Sequence, residues 1–132
     1  MKTFSLEILT PSKSVYSGEV QIVTVPGTHG SFQILYNHAP IISTLEIGYV
    51  KIEDANGNPD YFTCSGGVVE VTDNKVLVLS NSVESRNEVD KSRAEKAKQR
   101  AQERLAVKAE AVDTARAELA LKRAINRLNL PS

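Results

Sequence analysis

The chain has 132 residues, the size of one ordinary domain or of one domain carrying an appendage. Sixteen Lys and Arg balance sixteen Asp and Glu, so overall charge argues neither for a nucleic-acid binder nor for a disordered chain. A single cysteine excludes a disulfide framework, and two histidines put a Cys/His zinc site out of reach. No apolar run approaches the roughly 18 residues of a membrane helix, and Met1-Lys2-Thr3-Phe4-Ser5 lacks the apolar core of a signal peptide. The expectation is a soluble chain in a reducing compartment, with no metal and no direct lipid insertion.

The averages conceal a division near Glu88. All seven glycines, four of five prolines and all seven aromatics precede it, whereas ten of twelve alanines follow it. Residues 1–88 hold five basic against ten acidic side chains, a net of −5; residues 89–132 hold eleven against six, a net of +5. An acidic module and a basic module attract one another at moderate salt.

Along residues 1–88 the pattern is that of short strands. Phe4, Leu6 and Ile8 alternate with Ser5 and Glu7, the period of a half-buried strand. Val20–Val25 repeats it and closes at Pro26-Gly27; Phe32–Leu35 and Tyr49–Ile52 follow. Asp54–Asn58 is turn chemistry, from which Tyr61–Cys64 returns as the second arm of a hairpin. Gly67–Thr72 and Lys75–Leu79 flank Asp73-Asn74 as another. About eight such segments predict an antiparallel β-sandwich or barrel. Gly66-Gly67 reads as a bulge or a close backbone approach.

Residues 89–132 read as two helices. Asp90 is placed to cap the first, with Ala94, Ala97, Ala101 and Leu105 as its apolar stripe. Asp113 is placed to cap the second, with Ala117, Ala120, Leu121, Ala124, Ile125 and Leu128 as its stripe. Ala111-Val112 falls at the bend and Pro131 closes the chain. The fold class expected is thus α+β, an antiparallel β-sandwich or barrel followed by an antiparallel helical hairpin. Alanine stripes hold weakly, on the order of 0.8 kcal/mol for each buried methyl, and helices this short are marginal alone. A hairpin so lightly fastened is expected to detach.

No catalytic constellation emerges. Cys64 lies in an alternating strand and reads as a small buried apolar residue rather than a nucleophile activated by His29 or His38. His29 sits in a turn; His38, beside Ala39-Pro40, makes a defined surface contact or is solvated. The one polar cluster is a set of arginines: Arg93 and Arg100, seven apart on the first helix, and Arg123 and Arg127, four apart on the second. Folded antiparallel, the helices can aim four guanidinium groups into one groove suited to a triphosphate, with Glu84 and Asp90 nearby to accept hydrogen bonds. On spacing alone a solvated charged face explains them as well.

Several motifs then point the same way: Thr10-Pro11, Gly30 with Ile34-Leu35, His38-Ala39-Pro40, Ser65-Gly66-Gly67-Val68-Val69-Glu70-Val71, and above all Arg116–Leu128. In order and spacing they resemble the epsilon subunit of bacterial rotary proton-translocating ATP synthases, over essentially the whole chain. The resemblance implies a non-catalytic rotor part at the cytoplasmic face of the bacterial membrane. In it, residues 1–88 dock on the gamma subunit and the c-ring, and residues 89–132 extend toward the catalytic alpha and beta subunits to inhibit ATP hydrolysis. It also implies a rotor interface at Ser31, His38 and Pro40. Some members bind ATP, no obligatory cofactor, through Ile/Leu-Asp-x-x-Arg-Ala, which Val89-Asp90-Lys91-Ser92-Arg93-Ala94 matches. The implied regulatory site is Glu84, Val89, Asp90, Arg93, Ala94, Arg100, Arg123 and Arg127. The chain departs from the family at Ser31-Phe32-Gln33 and Tyr36-Asn37, usually Glu-Leu-Gly and Pro-Gly; the added aromatics thicken a partner contact or fill core. The competing reading is a stand-alone module whose basic hairpin contacts nucleic acid. Against it, the hairpin has no aromatic to stack on a base and six acids interleave its charge.

Overall fold

Alternating apolar residues build the first strand, β1 (Phe4–Leu9), with Phe4, Leu6 and Ile8 all buried. In this computed structural model residues 2–86, 88–106 and 111–130 are described, and they form seven strands and two helices. After β1 come β2 (Ser14–Gly27), β3 (Gly30–Ile34), β4 (Ile41–Asp54), β5 (Pro59–Thr72), β6 (Lys75–Leu79) and β7 (Val83–Ser85). The helices are α1 (Lys91–Ala106) and α2 (Ala111–Asn129).

β1, β6, β5, β4 and β2 pair in that order, and β2 pairs back with β1, so five strands close into a ring. β3 hangs on β2, and β7 on β5. Every pair is antiparallel except β1 with β6. The α+β sandwich-then-hairpin expectation holds, with longer and fewer strands than the apolar runs suggested. Tyr61–Cys64 and Gly67–Thr72 are two halves of β5: the first pairs with β7 and the second with β6. A three-residue strand such as β7 leaves too short a pattern to read from sequence.

Both hairpin turns follow their chemistry. Asp54 Oδ1 accepts the amides of Asn56 and Asn58, each at 2.9 Å, and Gly57 takes φ +82°. Asp73 and Asn74 both lie in the left-handed region, φ +48° and +59°, as a two-residue turn between twisted strands requires. At Gly66-Gly67 the β4–β5 register runs through without a slip, so the pair is a close approach and not a bulge. Gly67 has φ +142°, and a Cβ there would fall on the Leu79 carbonyl.

The core is entirely the sandwich's own, built on Leu6, Ile8, Ile34, Ile52, Phe62 and valines of β2, β4, β5 and β6. The helices bury alanines instead: Ala94 and Ala101 from α1, Ala117 and Ala124 from α2, with Leu130 beyond the helix end. Asp90 caps α1 as expected, its Oδ1 accepting the Arg93 amide at 3.1 Å and its carbonyl the Ala94 amide at 3.0 Å. The start of α2 is a correction. The helix has begun by Ala111, so Ala111-Val112 is not the bend and Asp113 stands inside rather than at the cap. Alanine is the strongest helix former and carries the helix back past the expected start. The Asp113 side chain, residues 107–110 and Pro131 lie outside the described residues.

Candidate functional site

α1 packs on α2, and α2 packs on β4 and β5. This places the last turn of α2 beside β7 and the first turns of α1, and a cleft of about 280 Å³ opens between them. Its walls are Glu84, Glu88, Asp90, Arg93, Ala94, Ala97, Arg100 and Arg127. Six of the eight residues expected from sequence therefore meet there: Glu84, Asp90, Arg93, Ala94, Arg100 and Arg127. Val89 is half-buried in the linker and is not among the walls. Arg123 lines a neighbouring hollow with Ile47, Thr63, Cys64, Ser65, Ser82 and Asn126; only Arg127 borders both spaces. Residues four apart share a helix face without reaching the same spot, so spacing alone grouped Arg123 with Arg127.

The charges of the cleft are unequally satisfied. Arg127 Nε donates to Glu84 Oε1 at 2.5 Å, with both side chains roughly a third exposed. Glu88 is engaged away from the arginines: its Oε1 accepts the Ser85 hydroxyl at 3.0 Å and its Oε2 faces Lys13 Nζ at 3.4 Å. The Ser85 hydroxyl and then Lys13 hold the Glu88 carboxyl below its ordinary pKa. Arg93 and Arg100 carry no ion pair among the described residues. Two uncompensated guanidinium groups and a third held by one carboxylate make an anion-seeking recess. Glu88 and Ala97 are walls that sequence reasoning did not include. Ala97 lay in its apolar stripe, and Glu88 is two residues before the Asp90 cap.

The residues expected at the rotor interface do not form one cluster. Ser31 is exposed near the start of β3, opposite Pro26. His38 and Pro40 lie beyond the other end of that five-residue strand, in the β3–β4 loop. His38 Nδ1–H donates to the Ala39 carbonyl at 2.8 Å and the His38 amide to the Leu35 carbonyl at 3.1 Å, so the imidazole is held in place. Asn37, one of the departures named above, takes φ +62°. Its amide donates to Asn74 Oδ1 at 2.6 Å, and Asn74 Nδ2 donates to Asn37 Oδ1 at 3.1 Å. Asparagine tolerates this backbone better than most residues. The two departing aromatics divide: Phe32 packs against the core, while Tyr36 stays on the surface under Lys2 Nζ, 5.0 Å from the ring centroid.

Cys64 is buried, and desolvation raises its thiol pKa against weaker contributions from the Gly66 carbonyl and Ser80. That is the reverse of an activated nucleophile. Among the described residues no group of His, Cys, Asp and Glu could hold a metal ion.

Comparison with known proteins matches both modules. Residues 3–86 fit the family described as the beta-sandwich domain of the ATP synthase delta/epsilon chain, and residues 87–130 fit its long alpha-helix domain. The ATP synthase epsilon chain of Bacillus cytotoxicus is 47% identical over 130 residues, 98% of this chain and 97% of that one. The epsilon chain of Syntrophomonas wolfei is 41% identical over 126 residues, 96% and 92% respectively. The chain belongs to the ATP synthase epsilon family.

Chains in two solved ATP synthase structures share this fold at low identity. A chain in the Euglena gracilis mitochondrial enzyme (OSCP/F1/c-ring) superposes with a TM-score of 0.84 at 22% identity, covering 94% of this chain and 78% of that one. One in the central stalk and c-ring of the Tetrahymena thermophila enzyme gives 0.66 at 20%, covering 96% and 94%. Within the epsilon family the setting of this chain is ATP synthesis, which favours the rotor reading over a stand-alone nucleic-acid module.

Proposed function

We propose that this chain is the non-catalytic rotor subunit that couples the catalytic head of a proton-translocating ATP synthase to its membrane ring. In this reading residues 1–88 dock on the gamma subunit and the c-ring, with the Ser31 turn and the His38–Pro40 loop among the contact points. Residues 89–132 leave the sandwich, extend toward the alpha and beta subunits and restrain ATP hydrolysis. The chain then sits peripherally at the cytoplasmic face of the bacterial membrane; no described helix is long and apolar enough to cross it. The chains of the same fold in F1/c-ring and stalk/c-ring assemblies support the docking partners by analogy of fold.

The cleft carries the regulatory part of the proposal. Arg93 and Arg100 on α1 and Arg127 on α2 surround one recess, with Glu84 at its wall. In the proposal ATP fills it: the guanidinium groups fork onto phosphate oxygens, and Glu84 and Asp90 accept from base or ribose. Arg123 joins by turning from the adjacent hollow, and Val89 gives apolar backing from the linker. ATP then stabilises only the folded hairpin, because the walls come from both helices and β7. At a hundredfold excess over Kd that amounts to about 2.7 kcal/mol, so ATP depletion frees the inhibitor.

Two experiments test this. ATP is expected to raise the melting temperature of the hairpin, and Arg93→Ala with Arg127→Ala to abolish the rise; no calorimetric heat at millimolar ATP would remove the nucleotide site. Deleting residues 89–132 is expected to leave a folded sandwich that binds gamma without inhibiting hydrolysis. Inhibition by that truncated chain at full strength would reject the hairpin's role.

A further inference from the structure

α2 is tied to the sandwich by two neighbouring residues that reach different strands. Arg127 reaches Glu84 on β7, inside the cleft. Asn126 reaches the other way: its Nδ2 donates to the Gly48 carbonyl on β4 at 2.6 Å, across 78 residues of sequence. Asn126 is not among the walls of the cleft; it lines the hollow next door.

The Gly48 carbonyl is a firm anchor. The β2–β4 register lapses between Thr24↔Lys51 and Gly27↔Leu45, and Gly48 falls in that lapse. Pro26 lies against it, so close that a Cβ on Gly48 would come within 2.6 Å of the Pro26 Cβ. Proline has no N–H to offer the ladder, and no larger residue fits at 48 without displacing its ring. The glycine makes room for Pro26, and the Asn126 amide is a donor that meets the Gly48 carbonyl.

We infer that Asn126 is a positioning residue, a latch that holds the hairpin on the sandwich without nucleotide and sets how readily it lets go. The inference rests on the detachable hairpin proposed above. Two ties of different kinds divide the control: ligand competes or cooperates at Arg127, whereas Asn126 sets the level of closure that exists before any ligand arrives. Losing the latch lowers apparent ligand affinity through the folded population, leaving the cleft's own contacts unchanged.

The test is amide exchange on the full chain, followed by peptide, without nucleotide. Asn126→Asp keeps the shape and replaces the donor by an oxygen facing an oxygen; Asn129→Asp makes the same change at the exposed end of the same helix. Expected for Asn126→Asp is roughly tenfold faster exchange across α2, sandwich peptides unchanged, and Asn129→Asp at the wild-type rate. Saturating ATP should restore much of the protection to Asn126→Asp. Wild-type exchange in Asn126→Asp, or equal acceleration in Asn129→Asp, overturns the latch while leaving the detachable hairpin standing. Protection by ATP in the wild type but none in Asn126→Asp also overturns it, by making Asn126 part of the ligand site. If wild-type α2 opens only when the sandwich unfolds, the hairpin does not detach and both readings fall together.

Discussion

The sandwich and the hairpin bury different materials, and in the proposed cycle that difference separates a scaffold from a moving part. Leu6, Ile8, Ile34 and Ile52 are withdrawn from water almost completely, as are the valines between them. Each such side chain contributes about 1.5–3 kcal/mol on burial. At the helix seam the corresponding places hold Ala94, Ala101, Ala117 and Ala124, each methyl worth on the order of 0.8 kcal/mol. The sandwich completes its core without the helices, so the hairpin can open while its support stays folded.

The largest effects belong to the scaffold. Leu6→Ala is expected to remove about 3 kcal/mol from the denaturant unfolding of the sandwich. Gly67→Ala is expected to remove a comparable amount, because its Cβ meets the Leu79 carbonyl at a backbone angle that alanine resists. Next comes the seam. Ala124→Leu overpacks a site with no room and should destabilise the helix pair by about 1–3 kcal/mol. Helical circular dichroism should fall while the sandwich midpoint stays put, and a shared shift of both would erase the contrast. Raising salt from about 0.1 M to 1 M shortens the screening length from about 10 Å to 3 Å. It should speed hairpin exchange about twofold and leave the sandwich alone.

The smallest effect is acidic. The native pKa of Glu88 is depressed, so its stabilisation is present above the ordinary value near 4.5 and is lost as pH falls through the lower native one. Glu88→Gln should flatten that part of the stability profile, and an unchanged profile would show that Ser85 and Lys13 do not stabilise it. Cys64 behaves oppositely. Its raised pKa makes its contribution complete below the ordinary value near 9.0 and lost as pH rises through the native one.

Legibility in the sequence follows the range of the interaction. The Asp90 cap, the Asp73-Asn74 turn and the alternation of β1 are local, and each was readable from a handful of consecutive residues. The cleft was partly readable, because Arg93 and Arg100 share a helix face and an antiparallel fold of the helices brings Arg127, Glu84 and Asp90 toward it. Arg123 shows the limit: four residues from Arg127, it opens onto the adjacent hollow, a placement that depends on how α2 packs against β4 and β5. The bond from Asn126 to Gly48 leaves no local trace, since a side chain meets a backbone carbonyl 78 residues away. Joining Tyr61–Cys64 to Gly67–Thr72 was likewise hidden, because Gly66-Gly67 looks like punctuation yet continues the strand.

In the proposed cycle, a hairpin that repeatedly lifts off must leave behind a surface that does not recruit strangers. Closure of the ring by β1 on β2 bears on this, since each of its five strands has a neighbour on both sides. The outlying β3 and β7 run only five and three residues, too short to template a foreign strand well. With the helices away, the bared scaffold therefore offers little backbone for cross-chain aggregation, and the swing can recur without fouling its own seat.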